Sequence, residues 1–183
     1  VWNPIGYVHT DGSTGDGTPQ NFQFNNIPQD YKYLVLQMGI HGGSSSSNNM
    51  KLTLNGTSTS GHYHTRCDYQ NGTSSTFFAS NSNGWVTGGL GGWDGLPASL
   101  SRNNALRAEY WFLHYNDSNL YTTIRGQGTG PIDGSQYWSF WNVNGKYTVS
   151  SAITSLQISN SDYFGQNCIL SLYGVQGVGA GGI

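Results

Sequence analysis

Charge is what this sequence has least of. Seven Lys and Arg and nine Asp and Glu make up 9% of its 183 residues, against roughly a quarter in ordinary globular chains. The formal net charge is −2 and the basic residues form no cluster, so the field that nucleic-acid binding requires is missing. Cysteine is almost absent. Cys67 and Cys168 make no disulfide framework and lack the Cys-x-x-Cys spacing of a metal site; they read as small buried hydrophobes of a chain made in a reducing compartment. No apolar run approaches the ~20 residues of a membrane helix, and the start shows no signal-peptide pattern. Val1 fits either removal of an initiator Met or a cut from a longer chain. Helical periodicity is missing as well.

What remains is aromatic and glycine-rich. Phe, Trp and Tyr reach 14%, with 12 Tyr, and there are 27 Gly. A low-charge, aromatic-rich chain can offset the entropy of ordering, which excludes disorder. The length predicts one domain that buries roughly 70% of its unfolded surface.

The apolar residues alternate in short runs bounded by Gly, Asn, Ser and Pro, the pattern of strands and turns. Phe22 and Phe24 share a face before Ile27-Pro28. From Tyr31, Leu34, Leu36, Met38 and Ile40 fall on one face, with Tyr33, Val35 and Gln37 on the other. Met50, Leu52 and Leu54 alternate with Lys51 and Thr53, and Asn55-Gly56 is a hairpin-grade turn. Further strands are predicted over His62–Gln70, Leu106–Tyr115, Leu120–Arg125, Gln136–Val143, Ile153–Ser159 and Asn167–Val175. Asn71-Gly72 and Asn144-Gly145 mark further turns. An isolated sheet would leave an apolar face wet. The expectation is therefore an all-β, two-sheet antiparallel sandwich of jelly-roll type with eight to ten strands.

Three segments read as irregular: the loop His41–Asn49, the Gly- and Trp-bearing stretch Asn81–Ser101, and the end of the chain. The domain is placed at 1–175 and a Gly-rich tail at 176–183. That tail is uncharged and its glycines make independent folding costly, so it is expected to lie against an adjacent subunit or surface, or else to fray.

Motifs of chemistry are sparse. Gly56-x5-His62-x-His64-x3-Asp68 is similar to the first motif of the cupin family, in which two His at i and i+2 and a carboxylate hold a divalent metal. The second cupin motif is missing, His114 has no matching context, and Asp stands where Glu belongs. His62, His64 and Asp68 are thus only remote metal candidates, a metal-dependent cupin-like enzyme is the remote alternative, and no cofactor is expected. Glycoside hydrolysis needs two carboxylates, yet Glu109 is the sole Glu and shares a strand face with Arg107 and Trp111. Asp11, Asp16, Asp30, Asp94, Asp117, Asp133 and Asp162 occupy turn-like positions where Asp caps backbone groups. No Gly-x-Ser-x-Gly elbow occurs, and Gly126-x-Gly128 lacks the rest of a phosphate loop. The reading is that the protein is not an enzyme.

Aromatics are the positive signal. In Gln136–Asn142, Trp138 and Phe140 take one face, Tyr137 and Trp141 the other, so a core alone does not account for them. Trp111 and Tyr115 extend the argument to the long strand, and Trp85 and Trp93 to the Gly-rich stretch. Burial against another subunit is the reading taken. The alternative is sugar binding, since aromatic platforms beside Asn, Gln and Asp hold sugar rings.

Phe22–Ile40, with its Phe-x-Phe strand, Ile27-Pro28-Gln29 and Leu34-Val35-Leu36, resembles a module recurrent in virion proteins of tailed bacteriophages. The resemblance continues through Leu52-x-Leu54-Asn55-Gly56, His62–Gln70 with Asn71-Gly72, Ala152–Leu156 and Leu172–Val175. It implies a jelly roll of the decoration, head-fibre or tail-fibre type, commonly trimeric, with no catalytic residues. The expected function is a capsid decoration (cement) protein contacting itself and the major capsid protein. The alternative is a tail-associated adhesin, partnered by tail proteins and a host surface glycan. Localisation on the virion surface, after assembly in bacterial cytoplasm, goes with either; no nucleic-acid or membrane partner is expected.

Overall fold

A period-two pattern puts alternate side chains on opposite faces of a strand, and the alternating runs of this chain become strands almost wherever they occur. The computed structural model describes residues 1–10, 21–40, 50–57, 63–71, 74–82, 85–86, 106–131, 138–160, 164–165 and 167–177. Within them no helix forms. The strands are β1 (Trp2–His9), β2 (Asn21–Phe24), β3 (Tyr33–Ile40), β4 (Met50–Leu54), β5 (Tyr63–Asn71), β6 (Ser74–Ser82), β7 (Trp85–Val86), β8 (Leu106–Leu113), β9 (Thr122–Pro131), β10 (Trp138–Tyr147), β11 (Leu156–Asn160) and β12 (Ile169–Val175).

Two antiparallel sheets face each other. The larger runs β1-β12-β3-β8-β9-β10 and is continued by β5-β6; the smaller runs β2-β11-β4 and is continued by β7. Nine strands thus carry the sandwich, within the expected eight to ten, and β5, β6 and β7 extend its edges. Without the hairpins β5–β6 and β9–β10, the remaining eight strands lie in the orders β1-β12-β3-β8 and β2-β11-β4-β7. In each sheet, strands from opposite ends of the chain interleave. This is the double Greek key of a jelly roll, with two inserted hairpins that widen one sheet.

One apolar core fills the space between the sheets. Leu34, Leu36, Met38 and Ile40 of β3, Tyr110 and Phe112 of β8, Ile124 of β9 and Leu170 and Leu172 of β12 face Phe22, Phe24, Leu52, Leu54, Leu156 and Ile158 of the smaller sheet. Side chains bind the loops at one end. Asn55 accepts from Thr154 N (2.8 Å) and Ser155 N (3.2 Å) and donates to Ala152 O (2.8 Å). Asn55 and Gly56 both have positive φ (51° and 65°), and Thr57 N bonds Leu54 O at 3.0 Å. This is the mirror-image turn that Asn-Gly favours. At the other end Thr10 Oγ1 donates to Gly165 O (3.0 Å) and accepts from Cys168 N (2.8 Å). Cys168 is buried and unbridged.

Several expectations are corrected. Asn144-Gly145 is no turn: both residues lie inside β10, opposite Arg125 and Ile124. Four positions within Asn81–Ser101 are strand: Asn81 and Ser82 end β6, and Trp85 and Val86 pair with Leu52 and Lys51 of β4. Leu120 and Tyr121 precede β9 and are exposed. His41–Asn49 and residues 178–183 lie outside the described residues, and with them most of the tail. The described part, Gln176 and Gly177, stays by the domain: Gln176 N reaches Val1 O at 3.3 Å.

Candidate functional site on the outer face of the larger sheet

Among the described residues no sheet covers the second face of the larger sheet, yet its sequence is far from the Lys/Glu-rich surface a solvated strand face usually carries. Register aligns its residues in rows across the strands. Tyr173 of β12, Val35 of β3 and Trp111 of β8 are successive neighbours. Next along the strands come Ser171, Gln37, Glu109, Gln127 of β9 and Asn142 of β10. The first row is aromatic and the second polar.

The aromatic row is a packed layer. Trp111 meets Trp2 edge-on with centroids 5.7 Å apart, and Tyr33 at 5.3 Å. Trp2 meets Tyr173 at 5.6 Å. These separations are those of favourable aromatic pairs. Beneath them Val35 is fully buried, so this face excludes water over part of its area. Trp2 itself remains 42% exposed and Tyr7, on the same edge strand, 63%.

Glu109 joins the two rows. Its Oε1 accepts from Trp111 Nε1 at 2.6 Å and its Oε2 from Gln37 Nε2 at 3.0 Å. Its role is therefore to orient an indole and an amide. Beside it lies an open groove of about 700 Å³, lined by Gln37, Glu109, Gln127, Arg107, Ser171 and Asn167 among others. Gly39 makes its floor low, because a Cβ there would meet nothing within 4 Å. Among the described residues Glu109 is the one carboxylate lining the groove.

The residues singled out from the sequence scatter. Trp111 belongs to the aromatic layer. Tyr115 does not: it is fully buried in the core and donates to Pro28 O at 2.6 Å. His114 has φ +60°, which breaks the alternation after β8 and turns Tyr115 inward. Trp85, Trp138 and Trp141 lie in strands, opposite Leu52, Pro131 and Gly128 respectively. Trp93 and Tyr137 lie outside the described residues. So does His62, whereas His64 and Asp68 sit in β5 opposite Lys146 and Asn142. No group of three His, Cys, Asp or Glu side chains comes together among the described residues. Asp117 behaves as a turn residue, its Oδ1 accepting from Asn119 N at 2.7 Å.

Trp2, Tyr33 and Tyr173 were not singled out. Tyr33, Val35 and Gln37 gave a signal, an apolar residue in the middle of the supposedly solvated face. Trp2 gave none, because Pro4 and Gly6 interrupt the pattern of β1, whose register shifts between them.

Comparison of the chain with protein-family models, with curated proteins and with solved structures returned no match.

Proposed function

We propose that this chain is a structural protein of a tailed-bacteriophage virion, a capsid decoration (cement) protein acting through contacts with copies of itself, as a trimer, and with the capsid lattice. The observation that carries this reading is the aromatic layer of Trp2, Tyr33, Trp111 and Tyr173 on a sheet face that no sheet covers among the described residues. Tyr and Trp are the residues that subunit interfaces favour, and a contact built on them with few charges is little weakened by salt. The jelly roll and the Phe22–Ile40 resemblance support the same reading. In it the protein has no catalytic role and needs no cofactor. Particles lacking this protein are expected to lose resistance to heat or osmotic shock. Equal robustness of depleted heads, with no copy mapped to the head, would overturn the reading.

A second reading, a tail-associated adhesin that recognises host surface glycan, is favoured by one observation: the polar groove flanking the aromatic layer. Saturable binding of purified protein to host cells supports it. Binding that persists unchanged in Trp111→Ala would count against this face.

A further inference from the structure

From the polar row beside the aromatic layer we infer a binding site for a neutral oligosaccharide, lying across the strands with Glu109 at its centre. The inference deepens the adhesin reading and rests on it for the class of ligand, though it holds wherever on a particle the protein sits.

Spacing is the first argument. Ser171, Gln37, Glu109, Gln127 and Asn142 stand on five neighbouring strands, in register. Adjacent strands are roughly 4.8 Å apart, close to the length of one pyranose unit, so each strand presents a polar side chain to about one sugar. The row is roughly 19 Å long, enough for a short oligosaccharide.

Chemistry is the second. A sugar hydroxyl both donates and accepts, and is best met by mixed partners. Amides supply both roles at Gln37, Gln127 and Asn142, a carboxylate accepts at Glu109, and a guanidinium donates at Arg107. Arg107 is exposed and lines the groove. Glu109 is already fixed by Trp111 and Gln37, yet each of its oxygens keeps a lone pair for a ligand hydroxyl. A site preorganised in this way loses little entropy on binding. The indole that Glu109 orients borders the row and brings apolar surface beside it, which suits the C–H groups of a pyranose.

Other occupants fit less well. A peptide added as a strand needs an unpaired sheet edge, whereas all five strands of the row are paired on both sides. Glu109 at the centre disfavours a polyanion.

The test is calorimetric titration of the full chain with neutral hexasaccharides of glucose, mannose, galactose and N-acetylglucosamine, and with the matching monosaccharides. At least one hexasaccharide should bind, more tightly than its monosaccharide. Glu109→Gln should weaken it about tenfold by exchanging a charged acceptor for an amide. Gly39→Leu should abolish binding by filling the groove floor, with the thermal transition of both variants close to wild type. Binding that ignores both substitutions overturns the groove and leaves the adhesin reading standing. No binding of any of these sugars at millimolar concentration overturns both, and leaves the decoration reading untouched.

Discussion

Asn55 shows how much one side chain can hold. It occupies a left-handed position and ties the β4 turn to three loop residues, Ala152, Thr154 and Ser155. Asn55→Ala removes these hydrogen bonds and puts Ala in a left-handed conformation that Asn tolerates better, a loss of about 2–3 kcal/mol. Thermal denaturation should show a midpoint lower by about 5–10 °C. Thr122 is the opposite case. It is fully buried, and its hydroxyl oxygen has no hydrogen-bond partner among the described residues. Thr122→Val keeps the shape and removes the unpaired oxygen, so a stabilisation of about 1 kcal/mol is expected from chemical denaturation. Two core tyrosines set the alkaline limit. Burial raises the Tyr115 phenol from its ordinary 10.0 to about 12, and raises that of Tyr147 as well. The folded state holds these protons more tightly than the unfolded chain. Their contribution is therefore complete below pH 10 and lost as pH rises towards 12. Stability measured against pH should fall across that window, and less steeply in Tyr147→Phe.

At the scale of elements, what was legible in the sequence followed apolar alternation and stopped where other forces chose the residues. β3, β4, β8 and β12 were visible because one face of each is core. β1 is an edge strand interrupted by Pro4 and Gly6, β6 has its apolar residues side by side at Phe77, Phe78 and Ala79, and β7 has two residues; none has a period to read. β9 was cut short at Arg125 because Gly126, Gly128 and Gly130 look like a loop. Gly126 is there for packing: a Cβ on it would overlap the Tyr110 ring. Asn144-Gly145 carried a strong turn signal, overridden by pairing with both neighbouring strands. The site was half legible for the same reason. Trp111 stood out by composition, whereas Glu109, Gln37 and Gln127 acquire meaning only when the register lines them up. The glycines give a sharp test within one sheet. Gly126→Ala should cost about 1–3 kcal/mol by overpacking, while Gly39→Ala, with open space above it, should stay within about 0.5 kcal/mol of wild type.

At the scale of the molecule, the two inserted hairpins are what distinguish this jelly roll. β9–β10 and β5–β6 widen one sheet only, so the sandwich presents a broad face that the smaller sheet does not match. That face carries the aromatic layer, the polar row and Arg107, Arg125 and Lys146, three of the seven basic residues of the chain. A domain of this build is suited to lie flat against a partner, and the account makes it a repeated component of a particle surface. The most direct measurement is the number of copies per purified virion, by quantitative mass spectrometry against the major capsid protein. The account predicts many copies, in fixed proportion to that protein. A few copies per particle would move the protein to the tail, and its absence from purified particles would contradict the account outright.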